Sequence, residues 1–124
     1  KSKVPQDTFL EIFEESMQRW MGGAHDHEYR ESWPAFRARC QAALQRVVEK
    51  AEGNVVVFTS GGTIATLCQP LLSYPDRQVA ALTWNLVNSS ATKLLNRGGR
   101  VSLSTLNSHA HLEQAGRAHA ITYR

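Results

Sequence analysis

Long apolar runs are missing from this chain of 124 residues: no stretch approaches the ~18 residues that a membrane-spanning helix requires. A charged-then-apolar leader ending in small residues is missing too, so the expected location is cytoplasmic, with no membrane partner. Cysteine is scarce. Cys40 and Cys68 are the only two, and both fall inside helical patterns, which predicts buried reduced thiols instead of a secreted disulfide framework. A dominant charge sign is also lacking. Fourteen Lys and Arg against eleven Asp and Glu leave +3, scattered along the chain and too mild to suggest nucleic-acid binding.

What is present suits a globular protein. The 42% hydrophobic and 20% charged composition argues against disorder, and a chain of this size buries roughly two-thirds of its unfolded surface. Residues 1–124 read as a single domain. Thr8 to Met21 has an amphipathic period with capping-box spacing at Thr8 and Glu11, and Gly22-Gly23 ends it. A second helix starts at Ser32, a natural N-cap, tolerates Pro34 in its first turn and runs to about Glu52. Asn54 to Thr59 is a short β-branched apolar run that predicts a buried strand. A third helix follows Ser60-Gly61-Gly62-Thr63, with Pro70 expected to kink or shorten it, and Asp76 is expected to cap a short helix to Trp84. Ala91–Leu95 and Arg100–Leu106 read as strands joined by Asn96-Arg97-Gly98-Gly99. Trp20, Trp33 and Trp84 occupy apolar positions, while Arg30, Arg37, Arg39 and Arg46 read as a solvated face. The order of elements is α/β with a mixed sheet.

The strongest chemical signal is the strand–Ser60-Gly61-Gly62-Thr63–helix turn. A helix N-terminus offers unpaired N–H groups and partial positive charge, and glycines let a ligand approach the backbone. Phosphate or carboxylate is the natural guest, with the Ser60 and Thr63 hydroxyls as further donors. The plain alternative is a tight turn that binds nothing. Two histidine pairs, His25-x-His27 and His109-x-His111, have the alternation that places imidazoles on one face of an extended strand. Both sit in polar irregular segments, where solvated loop histidines are the ordinary reading.

Taken in order, four segments resemble the C-terminal half of the histidine phosphatase superfamily, which includes the cofactor-dependent phosphoglycerate mutases. They are Glu31-Ser32-Trp33 with Phe36 and Arg39; Val55-Val56-Val57-Phe58-Thr59-Ser60-Gly61-Gly62; Trp84 through Thr92; and Leu106-Asn107-Ser108-His109-Ala110-His111-Leu112. The resemblance implies an α/β/α sandwich with a mixed, mostly parallel sheet ending in an antiparallel hairpin. It also implies phosphoryl transfer from a small phosphorylated substrate through a phosphohistidine, without a cofactor or metal. In that family the nucleophile lies in an Arg-His-Gly motif early in the domain, completed by a second arginine, an acidic proton donor and a second histidine. Arg-His-Gly occurs nowhere in this sequence. The expectation is therefore the C-terminal part of a phosphomonoester hydrolase, an incomplete domain that is inactive as an isolated chain.

Where the family commonly has His-Gly after the central strand, this chain has Ser60-Gly61. A serine hydroxyl donates a hydrogen bond to a phosphoryl oxygen but carries no charge. The resemblance carries over phosphate contact by Ser60 and the backbone of Gly61, the turn itself adds Gly62 and Thr63, and His109 and His111 are candidate catalytic substitutes. The expected partners are phosphate or a phosphorylated small molecule, and a second copy or an N-terminal fragment that pairs with the apolar strand edge. Two other readings stand beside this one. One is a non-catalytic module that holds an anion or metal. The other is hydrolysis by a Ser60 nucleophile at a strand-to-helix elbow, where Gly62 fits and Phe58 crowds.

Overall fold

Helices precede a β-hairpin, and a short helix follows it, in the computed structural model, which describes residues 5–114 and 116–123. In chain order they are α1 (Gln6–Met21), α2 (Trp33–Lys50), α3 (Gly61–Leu72), α4 (Asp76–Asn85), β1 (Ala91–Arg97), β2 (Arg100–Ser108) and the short α5 (Ala110–Glu113). Single 3-10 turns lie at Asp26–Glu28 and Ala118–Ala120. No helix among the described residues is long and apolar enough to cross a membrane.

Helix α1 begins earlier than its capping pattern suggests. Pro5 occupies the N-cap and its carbonyl accepts from the Phe9 amide at 3.0 Å, so Thr8 is already helical and forms no side-chain cap. Helix α2 starts as read, with Ser32 Oγ accepting from the Ala35 amide at 3.3 Å and Pro34 in the first turn. Helix α3 runs through Pro70 and stops two residues later, where Ser73 takes a left-handed φ of 55°. At α4 the N-cap is Pro75, not Asp76; the Asp76 carboxylate accepts instead from Gln69 Nε2 at 2.7 Å.

Packing converges on Trp33, which is 2% exposed at the first position of α2. Trp33, Ala65 of α3 and Val79 of α4 form the buried cluster, with Trp20, Met21, Phe36, Tyr74 and Leu82 against it. The Trp20 ring meets Trp33 edge-on at 5.3 Å and Phe36 at the same centroid distance. Such aromatic pairs add roughly 0.5–1.5 kcal/mol each beyond the area they bury. Trp84 of α4 packs against Phe9 and Phe13 of α1, each at 5.6 Å. Tyr74 closes the far side by donating its hydroxyl to the Ala65 carbonyl, and burial pushes its phenol well above the ordinary value. Cys40 and Cys68 are buried and free, and burial pushes both thiols up.

The expected strand over Asn54–Thr59 needs correction. These residues have no ladder partner among the described residues, and the sheet holds only the antiparallel pair β1–β2. Val56 is 78% exposed and Phe58 94%. The reason is that a strand exists only through hydrogen bonds to a neighbour, so β propensity without a neighbour yields an unpaired segment. The architecture shown is thus mixed helix and strand, consistent with α/β.

The hairpin is as its turn residues suggest. Gly98 and Gly99 take φ of 61° and 89°, the two positive values that a two-residue turn between right-twisted strands demands. At its other end the register slips: Ala91 faces Ser108, but Lys93 faces Thr105. One residue of β1 therefore opposes two of β2, and Asn107, at φ 57°, lies in this bulge. Its amide donates to Thr92 Oγ1 at 3.2 Å. Its side chain reaches back to the end of α4, where Oδ1 accepts from the Val87 amide at 2.8 Å and Nδ2 donates to the Asn85 carbonyl at 3.0 Å. Asn107→Ala leaves the amide of buried Val87 without an acceptor and puts a Cβ residue with no local side-chain hydrogen bond at positive φ. We expect a loss of about 2–3 kcal/mol in denaturant melts, with Asn107→Gly recovering only the backbone share.

Candidate functional site

The Ser60 turn opens onto a cleft of about 470 Å³. Thr59, Ser60, Gly61 and Gly62 form its floor at the start of α3. No side chain caps this helix, so its first-turn amides keep the donor capacity and partial positive charge of a helix N-terminus. Ser60 is at the N-cap with extended backbone (φ −99°, ψ 162°), and its hydroxyl lies 3.3 Å from Thr63 Oγ1. Gly61 lies beneath Leu86: a Cβ added there would stand 3.5 Å from Leu86 Cδ1. At Gly62 a Cβ would meet nothing within 4 Å.

Facing the turn is the segment after α4. Val87, Asn88, Ser89 and Ser90 all line the cleft, and a bond from the Ser90 amide to the Val87 carbonyl (3.1 Å) closes them into a turn with Ser89 at φ 65°. Asn107 sets where this turn stands, as described above. The C-terminal tail is tied to it as well. The Asn88 amide donates to the Thr122 carbonyl at 2.8 Å and its Nδ2 to Thr122 Oγ1 at 3.0 Å, which brings Tyr123 to the cleft. Phe13, Met17, Trp20, Trp33 and Phe36 of α1 and α2 line it too, together with Ile64 and Thr66 of α3, Val79 and Thr83 of α4, and Leu86.

The sequence-derived candidates divide accordingly. Ser60, Gly61 and Gly62 line the cleft; Thr63 is outside its lining, with Oγ1 3.3 Å from Ser60 Oγ. His109 and His111 stand outside it. His109 precedes α5, with Nδ1 2.7 Å from the Asn107 carbonyl and Nε2 3.1 Å from Glu113, while His111 is exposed on α5. His25 and His27 sit with Glu28 on the surface, at 3.3 and 3.8 Å. No group of three or more His, Cys, Asp or Glu able to hold a metal lies among the described residues. Asn88, Ser89, Ser90 and Tyr123 were not among the candidates. The run Asn-Ser-Ser after an apolar pair carries a turn signal, but nothing local in the sequence places it opposite Ser60.

The fold and this turn together define a mixed α and β chain with a helix N-terminus presented to a cleft. The family model for the histidine phosphatase superfamily (branch 1) matches residues 3–109, and the chain belongs to that superfamily. The resemblance read from the residues is borne out, and the match covers α1 as well as the segments from Glu31 onward. Searches of curated proteins and of solved structures returned no match. Membership points to phosphatase or mutase-type function on small phosphorylated substrates.

Substitution of Gly62 tests a role toward a ligand apart from the needs of the fold. Alanine there has room and is the better helix former, so Gly62→Ala should raise stability by up to about 1 kcal/mol. It should at the same time weaken binding of inorganic phosphate at least several-fold, measured by calorimetric titration.

Proposed function

We propose that the Ser60–Gly62 turn holds the phosphoryl group of a phosphomonoester. On this reading the chain is the C-terminal part of a superfamily hydrolase and an incomplete domain. The uncapped first turn of α3, open to the cleft, is the observation that carries it. Gly61 and Gly62 bring first-turn amides free of a side-chain cap, and Ser60 a hydroxyl, to the same cleft, which suits an oxyanion. Ser60 supplies a neutral donor where relatives commonly carry histidine. The attacking imidazole and its cationic clamp come from a segment outside residues 1–124, since Arg-His-Gly is lacking here. That imidazole attacks phosphorus, the alcohol leaves, and water then hydrolyses the phosphohistidine.

The same reading gives the Val55–Phe58 segment its role as a central parallel strand of a sandwich. Its neighbours are supplied by that segment or, in the isolated chain, by a second copy. Exposed apolar backbone of this kind pairs readily.

Two measurements test this. With an aryl phosphate as substrate the isolated chain shows no turnover, and phosphate shifts the Gly61 and Gly62 amide resonances with an affinity that Ser60→Ala lowers roughly 2–10-fold. Turnover that vanishes in Ser60→Ala would instead make Ser60 the nucleophile. In sedimentation velocity the isolated chain self-associates, and Val56→Lys with Phe58→Lys returns it to monomer. A stable monomer before substitution removes the pairing role.

A further inference from the structure

Among the described residues, three besides glycine have left-handed backbone: Ser73, Ser89 and Asn107, at φ of 55°, 65° and 57°. Two of them serve the fold. Ser73 ends α3, and Asn107 lies in the hairpin bulge. Ser89 does neither. It stands third in the turn closed by the Ser90 amide on the Val87 carbonyl, and of the two central residues it alone has positive φ. That is the pattern of a type II turn, whose third place suits glycine because a Cβ there crowds the backbone. A serine in such a place is held against its own preference by its surroundings, and residues held in this way cluster where ligands bind.

The turn is fixed from two directions. On the hairpin side Asn107 Oδ1 accepts from the Val87 amide at 2.8 Å. On the tail side Asn88 gives its amide and its Nδ2 to the carbonyl and hydroxyl of Thr122, at 2.8 and 3.0 Å. Ser89, between these ties, is exposed and lines the cleft, and its hydroxyl has no hydrogen-bond partner among the described residues. The cleft of about 470 Å³ is far larger than a phosphoryl group on the Ser60 turn would fill. The facing turn is therefore placed to meet what that group carries.

We propose that Ser89 is a ligand-contacting residue, a serine where glycine would fit the backbone better, whose hydroxyl hydrogen-bonds a hydroxyl on the alcohol part of a phosphomonoester. Asn88, Asn107 and Thr122 act through it as positioning residues, which makes the C-terminal tail part of the site. This rests on the phosphoryl-binding role proposed above and adds a contact to the alcohol.

The test is an NMR titration of the chain with glycerol phosphate and with n-propyl phosphate, which keeps the carbon chain and lacks the hydroxyls, read at the Gly61, Gly62 and Ser89 amides. Glycerol phosphate binds about three- to tenfold more tightly, the worth of one hydrogen bond. Ser89→Gly and Ser89→Ala both bring the two esters to within about twofold of each other. In urea melts Ser89→Gly raises the midpoint and Ser89→Ala does not, so the lost preference follows the hydroxyl and not the fold. A glycine variant that is more stable and keeps the preference overturns the inference, since Ser89 then serves the turn alone. Equal affinity of the wild-type chain for the two esters, with Gly61 and Gly62 responding, overturns it as well while the phosphoryl role stands. Silence of all three amides toward both esters overturns the phosphoryl role and this inference with it.

Discussion

The junction at Trp33 is the contact on which the remaining structure depends. A single indole at the first position of α2 touches Trp20 from α1 and Phe36 one turn on, with Ala65 of α3 and Val79 of α4 in the same cluster. Its neighbours on the solvent side form the apolar wall of the cleft, so core packing and site shape are one set of side chains. Glu31 braces this arrangement from outside. Its carbonyl accepts the Trp20 indole, and its carboxylate takes two bonds from Arg39, at 2.7 and 2.8 Å, whose guanidinium lies 5.5 Å from the Phe36 ring. The Arg39 hydrogen bond holds the Glu31 carboxyl below its usual range. That support is present above the unfolded carboxyl's pKa and fades as pH falls through the lowered one. On an exposed pair it is modest.

Local chemistry made most helices legible. Ser32 before Trp33-Pro34, the periodic apolar positions of α1 and α2, and Gly98-Gly99 between strand-like runs each act within a few residues, and each is seen in the fold. Val55–Thr59 shows the limit of such reading. Its residues encode a preference for extended pairing, but a ladder depends on a partner that lies elsewhere. Asn107 was invisible for a related reason. Its left-handed backbone follows from the hairpin register, and its side chain serves an amide 20 residues earlier in the chain. Thr63 is outside the cleft lining, its hydroxyl beside that of Ser60, while Ser60 and the glycines belong to that lining.

The turn that opens α3 carries a neutral hydroxyl, that of Ser60, at its N-cap. With a neutral hydroxyl in that place, the electrostatics of the floor rest on the α3 dipole and oriented amides. Those groups are fixed by the backbone, so the floor needs no side-chain ordering to receive an oxyanion. The residues that position the opposite side, Asn107 and Asn88, are also neutral, and both work through the main chain of the Asn85–Ser90 stretch.

The bulge at Asn107 gives the hairpin unequal tolerance along its length. Near the bulge, deleting one residue would invert which side chains of β2 face the helices, because strand faces alternate residue by residue. Toward Gly98-Gly99 no such bookkeeping applies: neither glycine lines the cleft, and added Cβ atoms there would meet nothing within 4 Å. The tip is the place to splice in a fluorescent reporter or affinity handle without disturbing what the molecule binds.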